Sequence, residues 1–183
     1  MSHGRNNVLR QQRRFESETA LKVMAYSAAA VANAFLELSS QEGKRLTNMK
    51  LQKLVYIAHG WSLALLGQPL FYNDIQAWRW GPVIPKLYNP LRKYGSGVVT
   101  EPIPTDSERV DVFSREMSII EGVWKAYGQY SAMQLSSITH DNGTPWSEVW
   151  AKKPQGQIPD ALIMEHYRQL KNERTRAKSS TAT

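Results

Sequence analysis

The sequence predicts a mainly α protein: a compact multi-helix domain around one central helix at about 47–66, one small β ribbon, and disordered basic tails. Three observations carry this expectation. Apolar residues recur at spacings of three and four through most of residues 19–170, the signature of helices with one buried face. The stretch "DIQAWRW" instead alternates and ends in a glycine-proline turn, which suits one short strand. Both ends are rich in arginine and lysine and poor in apolar residues. The expected organisation is a basic extension at 1–18, a helical domain at 19–170 and a tail at 171–183.

The elements follow in order. Leu21, Met24, Ala28, Val31, Phe35 and Leu38 line one face of a helix from Thr19 to Leu38, and Gly43 supplies a stop. Thr47 or Asn48 can cap the central helix, whose broad stripe runs Leu51, Leu54, Val55, Ala58, Trp61, Leu65, Leu66 before Gly67 and Pro69. So wide a stripe implies packing on several sides. Gly81-Pro82 reads as a turn; Pro82 suits the first turn of a new helix, and Pro85 can also sit there. Pro90 would clash with the Lys86 carbonyl, so that helix kinks or ends near Asn89 and stops at Gly95. "VVTEPIPTD" reads as an extended linker or edge strand, because its prolines cannot join a ladder. Ser114 caps a helix to about Tyr127, and Ser131 with Gln134 forms a capping box. Thr144 and Pro145 start a short helix, and Pro159 opens a last one that runs to roughly Leu170.

Composition narrows the function. With 42% apolar and 21% charged residues, the chain is an ordinary globular one. Cysteine is absent, which removes disulfides, thiol nucleophiles and Cys-ligated metals. No signal-peptide core or membrane-length apolar run is seen, so a cytoplasmic protein without a membrane partner is expected. The net charge of +7 resides in the ends: Arg5, Arg10, Arg13 and Arg14 at one, five basic residues against Glu165 and Glu173 at the other. Residues 15–164 balance at 14 basic and 14 acidic. Tails of this kind usually keep a protein soluble, and nucleic acid is disfavoured as a partner.

Chemistry is sparsely signalled. His59 on the central helix reads as a core histidine. His140 and Asp141 could form an acid–base pair, but no nucleophile elbow or second carboxylate accompanies them. The favoured reading is that Thr139, His140 and Asp141 end a helix and fix the next loop. The scattered histidines offer no metal set, and "YGSGVV" lacks the residues of a phosphate loop. No cofactor, metal or catalytic residue is expected.

One stretch stands apart. "AWRWGPVIPKLY" places two tryptophans, an arginine, a glycine and two prolines in twelve positions, 77–88. At least one tryptophan is expected to fill the core, with Arg79 pointing to the opposite face if the chain is extended. An exposed arginine beside aromatics is the composition of a protein–protein hot spot. Arg79, Trp80, Lys86, Tyr88 and Arg92 are the candidate contacts; Trp78, Gly81 and Pro82 are expected to shape the turn.

Three segments in order, "LTNMKLQKLVYIAHGWSLALLGQPLF", "DIQAWRWGPVIPKLYNPLRKYG" and "LSSITHDNGTPWSEVW", resemble one family. It is the Panacea domain, also called the SocA-like or phage-associated protein domain, of bacterial and prophage antitoxins. The pattern falls on Leu51, Gln52, Lys53, Leu54 and Tyr56; on Ala77, Trp78, Gly81, Pro82, Val83, Leu87 and Tyr88; and on Leu135, Ser136, Thr139, His140, Pro145 and Trp146. Pro90 departs from the family's unbroken helix after the turn. The resemblance implies a non-enzymatic antitoxin of a type II pair that neutralises a partner toxin by direct binding, with toxin and antitoxin forming an oligomer. Its partners include small alarmone-synthetase-like toxins. The SocA branch is similar to an adaptor that delivers its toxin to the ClpXP protease, which is the alternative mechanism. A nucleic-acid-binding repressor using the basic tails is the alternative from another class.

Overall fold

The computed structural model describes residues 25–180, and they are mainly helical, with one two-stranded antiparallel sheet. Seven α-helices are found among the described residues: α1 (Ala28–Gln41), α2 (Asn48–Leu65), α3 (Pro85–Leu91), α4 (Arg115–Tyr127), α5 (Ala132–His140), α6 (Pro145–Lys152) and α7 (Asp160–Ser180). Strands β1 (Gln76–Trp78) and β2 (Gly81–Val83) lie between α2 and α3, and a 3-10 turn at Arg92–Tyr94 follows α3.

Helix α2 is the axis of the fold. Every residue from Leu51 to Ala64 is buried, polar ones included, because α2 packs against α1, α3, α4, α5, α7 and β2. Thr47 caps it by accepting from the Lys50 backbone N–H. Gly60 lets α7 approach closely: a Cβ there would lie 2.3 Å from the Tyr167 ring. His59 adds a second tie between these helices, its Nε2 lying 2.9 Å from Asp160 Oδ1 while its ring packs on Phe71.

The other caps fall where the sequence places them. Ser114 accepts from the Met117 N–H, and Ser131 and Gln134 form the reciprocal capping box at the start of α5. Thr144 accepts from the Ser147 N–H to open α6. The linker at 98–106 stays extended, pinned by Asn33, whose amide bonds both the N–H and the carbonyl of Ile103.

Three expectations are corrected, and one boundary shifts slightly. Helix α1 starts at Ala28, not Thr19: the Tyr26 backbone pairs with Leu70 and Tyr72, and Ser27 is extended and caps Ala30. An alanine-rich run conceals that boundary, since its apolar rhythm continues through the cap. Pro82 lies in β2, and Pro85 opens α3 instead. Proline is tolerated in this strand because Pro82 pairs with Ala77, whose own N–H and carbonyl turn away to Gly156 and Gln155. Pro90 sits inside α3, which ends at Leu91, slightly beyond the expected Asn89, and tightens into the 3-10 turn before the expected stop at Gly95, φ 52°. Finally, α7 continues through Ser180, where the sequence reading ended it near Leu170. Arg174 holds the added turns: its guanidinium lies 4.7 Å from the Trp61 ring and donates to the Tyr127 hydroxyl. The basic extension 1–18, residues 19–24 and residues 181–183 lie outside the described residues. No helix among the described residues is long and apolar enough to cross a membrane.

Two glycines on helices should respond oppositely to alanine. Gly60→Ala forces a methyl into the buried Tyr167 ring, and overpacking outweighs the gain in helix propensity. Gly122 on α4 has open space at the same position. Urea unfolding should show Gly60→Ala less stable by about 2 kcal/mol and Gly122→Ala more stable by up to about 1 kcal/mol.

Candidate partner-binding site

The β hairpin is short, and two paired strands are not stable by themselves. Side chains from three helices hold its backbone. Trp146 on α6 donates from Nε1 to the Trp78 carbonyl at 2.7 Å. Ser136 on α5 donates to the Trp80 carbonyl at 2.9 Å. Lys53 on α2 donates from Nζ to the Pro82 carbonyl at 3.0 Å, and Gln52 Oε1 accepts from the Ile84 N–H at 2.9 Å. On its outer side, β1 pairs with residues 155–158 through Ala77, Gly156 and Gln155. Gln155 adopts φ 61°, an uncommon left-handed conformation for a residue with a side chain.

Gly81 has φ 99° and closes the turn. A Cβ at Gly81 would lie 2.6 Å from Lys53 Nζ, so glycine is required by the backbone conformation and by the lysine beneath it. Arg79 and Trp80 form the turn itself. The alternation expected of an extended stretch does not hold here: Arg79 does not face away from Trp80, and its guanidinium lies 5.1 Å from the Trp80 ring centre. Neither tryptophan is wholly interior. Trp78 is half-buried, donates to Gln76 Oε1 and meets the Tyr88 ring edge-on at 5.1 Å; Trp80 is 55% exposed.

Among the proposed contacts, Arg79, Trp80, Tyr88 and Arg92 are brought together around one cavity of about 590 Å³, and Trp78 lines it as well. Lys86 is exposed on α3 and does not line it. The residues expected to be structural stand behind the hairpin. Thr139 is buried and donates to the Leu135 and Ser136 carbonyls. His140 donates from Nδ1 to the Ser136 carbonyl at 2.6 Å and meets the Trp146 ring edge-on. Asp141 turns the chain out of α5, and its carbonyl accepts from Thr144.

Sequence reasoning passed over Lys53 as a site residue. It lines the cavity yet is 1% exposed, and burial alone pushes its amine down to about 7. The signal was present: a Gln-Lys pair inside a run that is otherwise apolar, where a buried amine has to have an acceptor.

A depressed lysine makes stability depend on pH. The unfolded chain holds the Lys53 proton up to about 10.5, the folded chain only to about 7, so the folded state is favoured increasingly as pH rises between those values. From pH 7 to pH 9 the wild type should gain on the order of 2 kcal/mol relative to Lys53→Met. Urea unfolding of both proteins at the two pH values checks this, and parallel changes would refute it.

The family model described as Antitoxin SocA-like, Panacea domain matches residues 51–147. That span contains Gln52, Lys53, Ser136 and Trp146, all four side chains that hold the hairpin backbone. Among characterised proteins, Antitoxin SocA of Caulobacter vibrioides (strain NA1000 / CB15N) is 32% identical over 155 residues, covering 77% of this chain and 82% of that protein. No solved structure matches the chain. A match of this extent, with a fold built around the same motif residues, places the chain in the SocA-like Panacea antitoxin family.

Proposed function

We propose that the chain is the antitoxin of a type II pair and neutralises a cognate protein toxin by direct binding, without bond-making chemistry of its own. The family supports the antitoxin role. The observation that carries the binding mechanism is Trp80, a large apolar side chain 55% exposed on a turn whose carbonyl is fixed from below by Ser136. A tryptophan on an anchored turn, stacked with Arg79 and sharing a cavity with Tyr88, loses little backbone entropy on contact, and these residue types dominate interface energies. In this reading Arg79, Trp80, Tyr88 and Arg92 meet the toxin at the cavity mouth, and Lys86 adds charge at the rim.

The partner is a toxin, small alarmone-synthetase-like enzymes being the class we favour, and the cytoplasm is the compartment. Occlusion requires a stable complex in which the toxin is silent. Delivery to ClpXP shares the binding step but makes toxin abundance fall only where the protease is present. Co-expression with the toxin encoded by the adjacent gene should restore growth and yield a complex that copurifies, at equal toxin levels with and without ClpXP. A toxin that still kills while copurifying rejects occlusion. Trp80→Ala should weaken the complex about 30-fold or more and abolish rescue, while leaving the thermal midpoint of the free chain unchanged.

A further inference from the structure

The cavity beside the hairpin is lined by basic and aromatic side chains, as is the one between α2, α4 and α7, where Lys171 and Arg174 stand beside Trp61 and Tyr127. Lys53, Arg79 and Arg92 line the hairpin cavity, and no carboxylate among the described residues does. Yet basic and acidic residues balance over 15–164, so the asymmetry is local. The cavity of about 440 Å³ between α1 and residues 98–102 shows the contrast, with Glu37 and Glu101 set among Lys44 and Arg45. Aromatic walls complete the site: Trp78 and Tyr88 meet edge-on, and Trp80 leans under Arg79. Lys53 has one hydrogen-bond partner among the described residues, the Pro82 carbonyl, and an ammonium has two further donors to offer.

We infer that this cavity receives an acidic segment of the partner toxin, one carboxylate side chain entering between Arg79, Arg92 and the buried Lys53 while its apolar neighbours pack on Trp78, Trp80 and Tyr88. The inference rests on the binding reading above and adds the chemistry of the partner. Charge complementarity decides the sign of the occupant: a basic or neutral segment would leave Arg79 and Arg92 without a counter-charge in a space that binding closes to water, whereas a carboxylate pairs with both and favours the charged form of Lys53. The volume of about 590 Å³ exceeds a lone carboxylate and suits two or three side chains. Rigidity decides the specificity. The turn is anchored through its carbonyls, so the cavity exists before the partner arrives.

The test uses the full chain and the full toxin from the adjacent gene. Arg79 and Arg92 are both exposed, so Arg79→Glu/Arg92→Glu should fold with an unchanged helical spectrum. It should bind the toxin about 100-fold more weakly, whereas the Arg79→Gln/Arg92→Gln protein should lose about tenfold. At least one Asp→Arg or Glu→Arg substitution on the toxin should restore binding to the reversed variant and weaken binding to the wild type. Should the double reversal fail to fold, the single Arg92→Glu carries the same comparison. A folded reversal variant that binds the toxin as tightly as wild type overturns the acidic-segment inference and leaves the antitoxin reading standing. Loss of binding that no acid-to-arginine change on the toxin rescues also overturns it. A wild-type chain that never binds the toxin overturns the reading beneath both.

Discussion

The fold turns on a set of hydrogen bonds between side chains and one short piece of backbone. A two-stranded hairpin with a two-residue turn has too few bonds of its own to hold a shape. Here the carbonyls of Trp78, Trp80 and Pro82 accept from Trp146, Ser136 and Lys53, and the Ile84 N–H donates to Gln52. Buried backbone groups need partners, and these come from α2, which precedes the hairpin, and from α5 and α6, which follow it much later in the chain. The same contacts therefore satisfy the hairpin, align α5 and α6 beside it, and set the start of α3. Trp146 does this while packed between His140 and Trp150, so its indole is fixed before it reaches the strand.

The arrangement has a cost in the centre of the molecule. Gln52 and Lys53 sit in the buried stretch of α2, and Lys53 gives up hydration for a single carbonyl. Burying an amine in this way is unfavourable for stability by itself. What it achieves is a surface in which Arg79 and Trp80 are exposed but not free to wander. Polar networks of this kind trade stability for a defined geometry. The glycine at 81 belongs to the same arrangement: its φ of 99° disfavours any side chain, and a Cβ there would also displace the lysine end from its place.

Membership of the SocA-like Panacea family gives this geometry a context. The matched span encloses the anchoring residues and the turn, whereas α1 and α7 lie wholly outside it. The common part is thus the scaffold of the hairpin with its presented side chains. α1 and α7 complete the core around α2, with Phe35 and Tyr167 buried and Arg174 covering Trp61.

Sequence alone determined a large share of this protein. Local signals are sufficient where the residues that decide a conformation are neighbours: Thr47, Ser114, Ser131 and Thr144 begin helices because each cap acts within three residues, and the stripe of α2 marks it as central. The crowding of Arg79, Trp80, Tyr88 and Arg92 into one short stretch likewise foretold that they would stand near one another. Where partners are distant, the sequence was silent or misleading. The start of α1 depends on Tyr26 pairing with a loop some 45 residues onward, and the last turns of α7 depend on Arg174 meeting Trp61 and Tyr127. Only tertiary structure decided that Lys53 lies beneath Gly81 and faces the same cavity as Arg79 and Arg92, because burial and charge environment are properties of what the fold brings together.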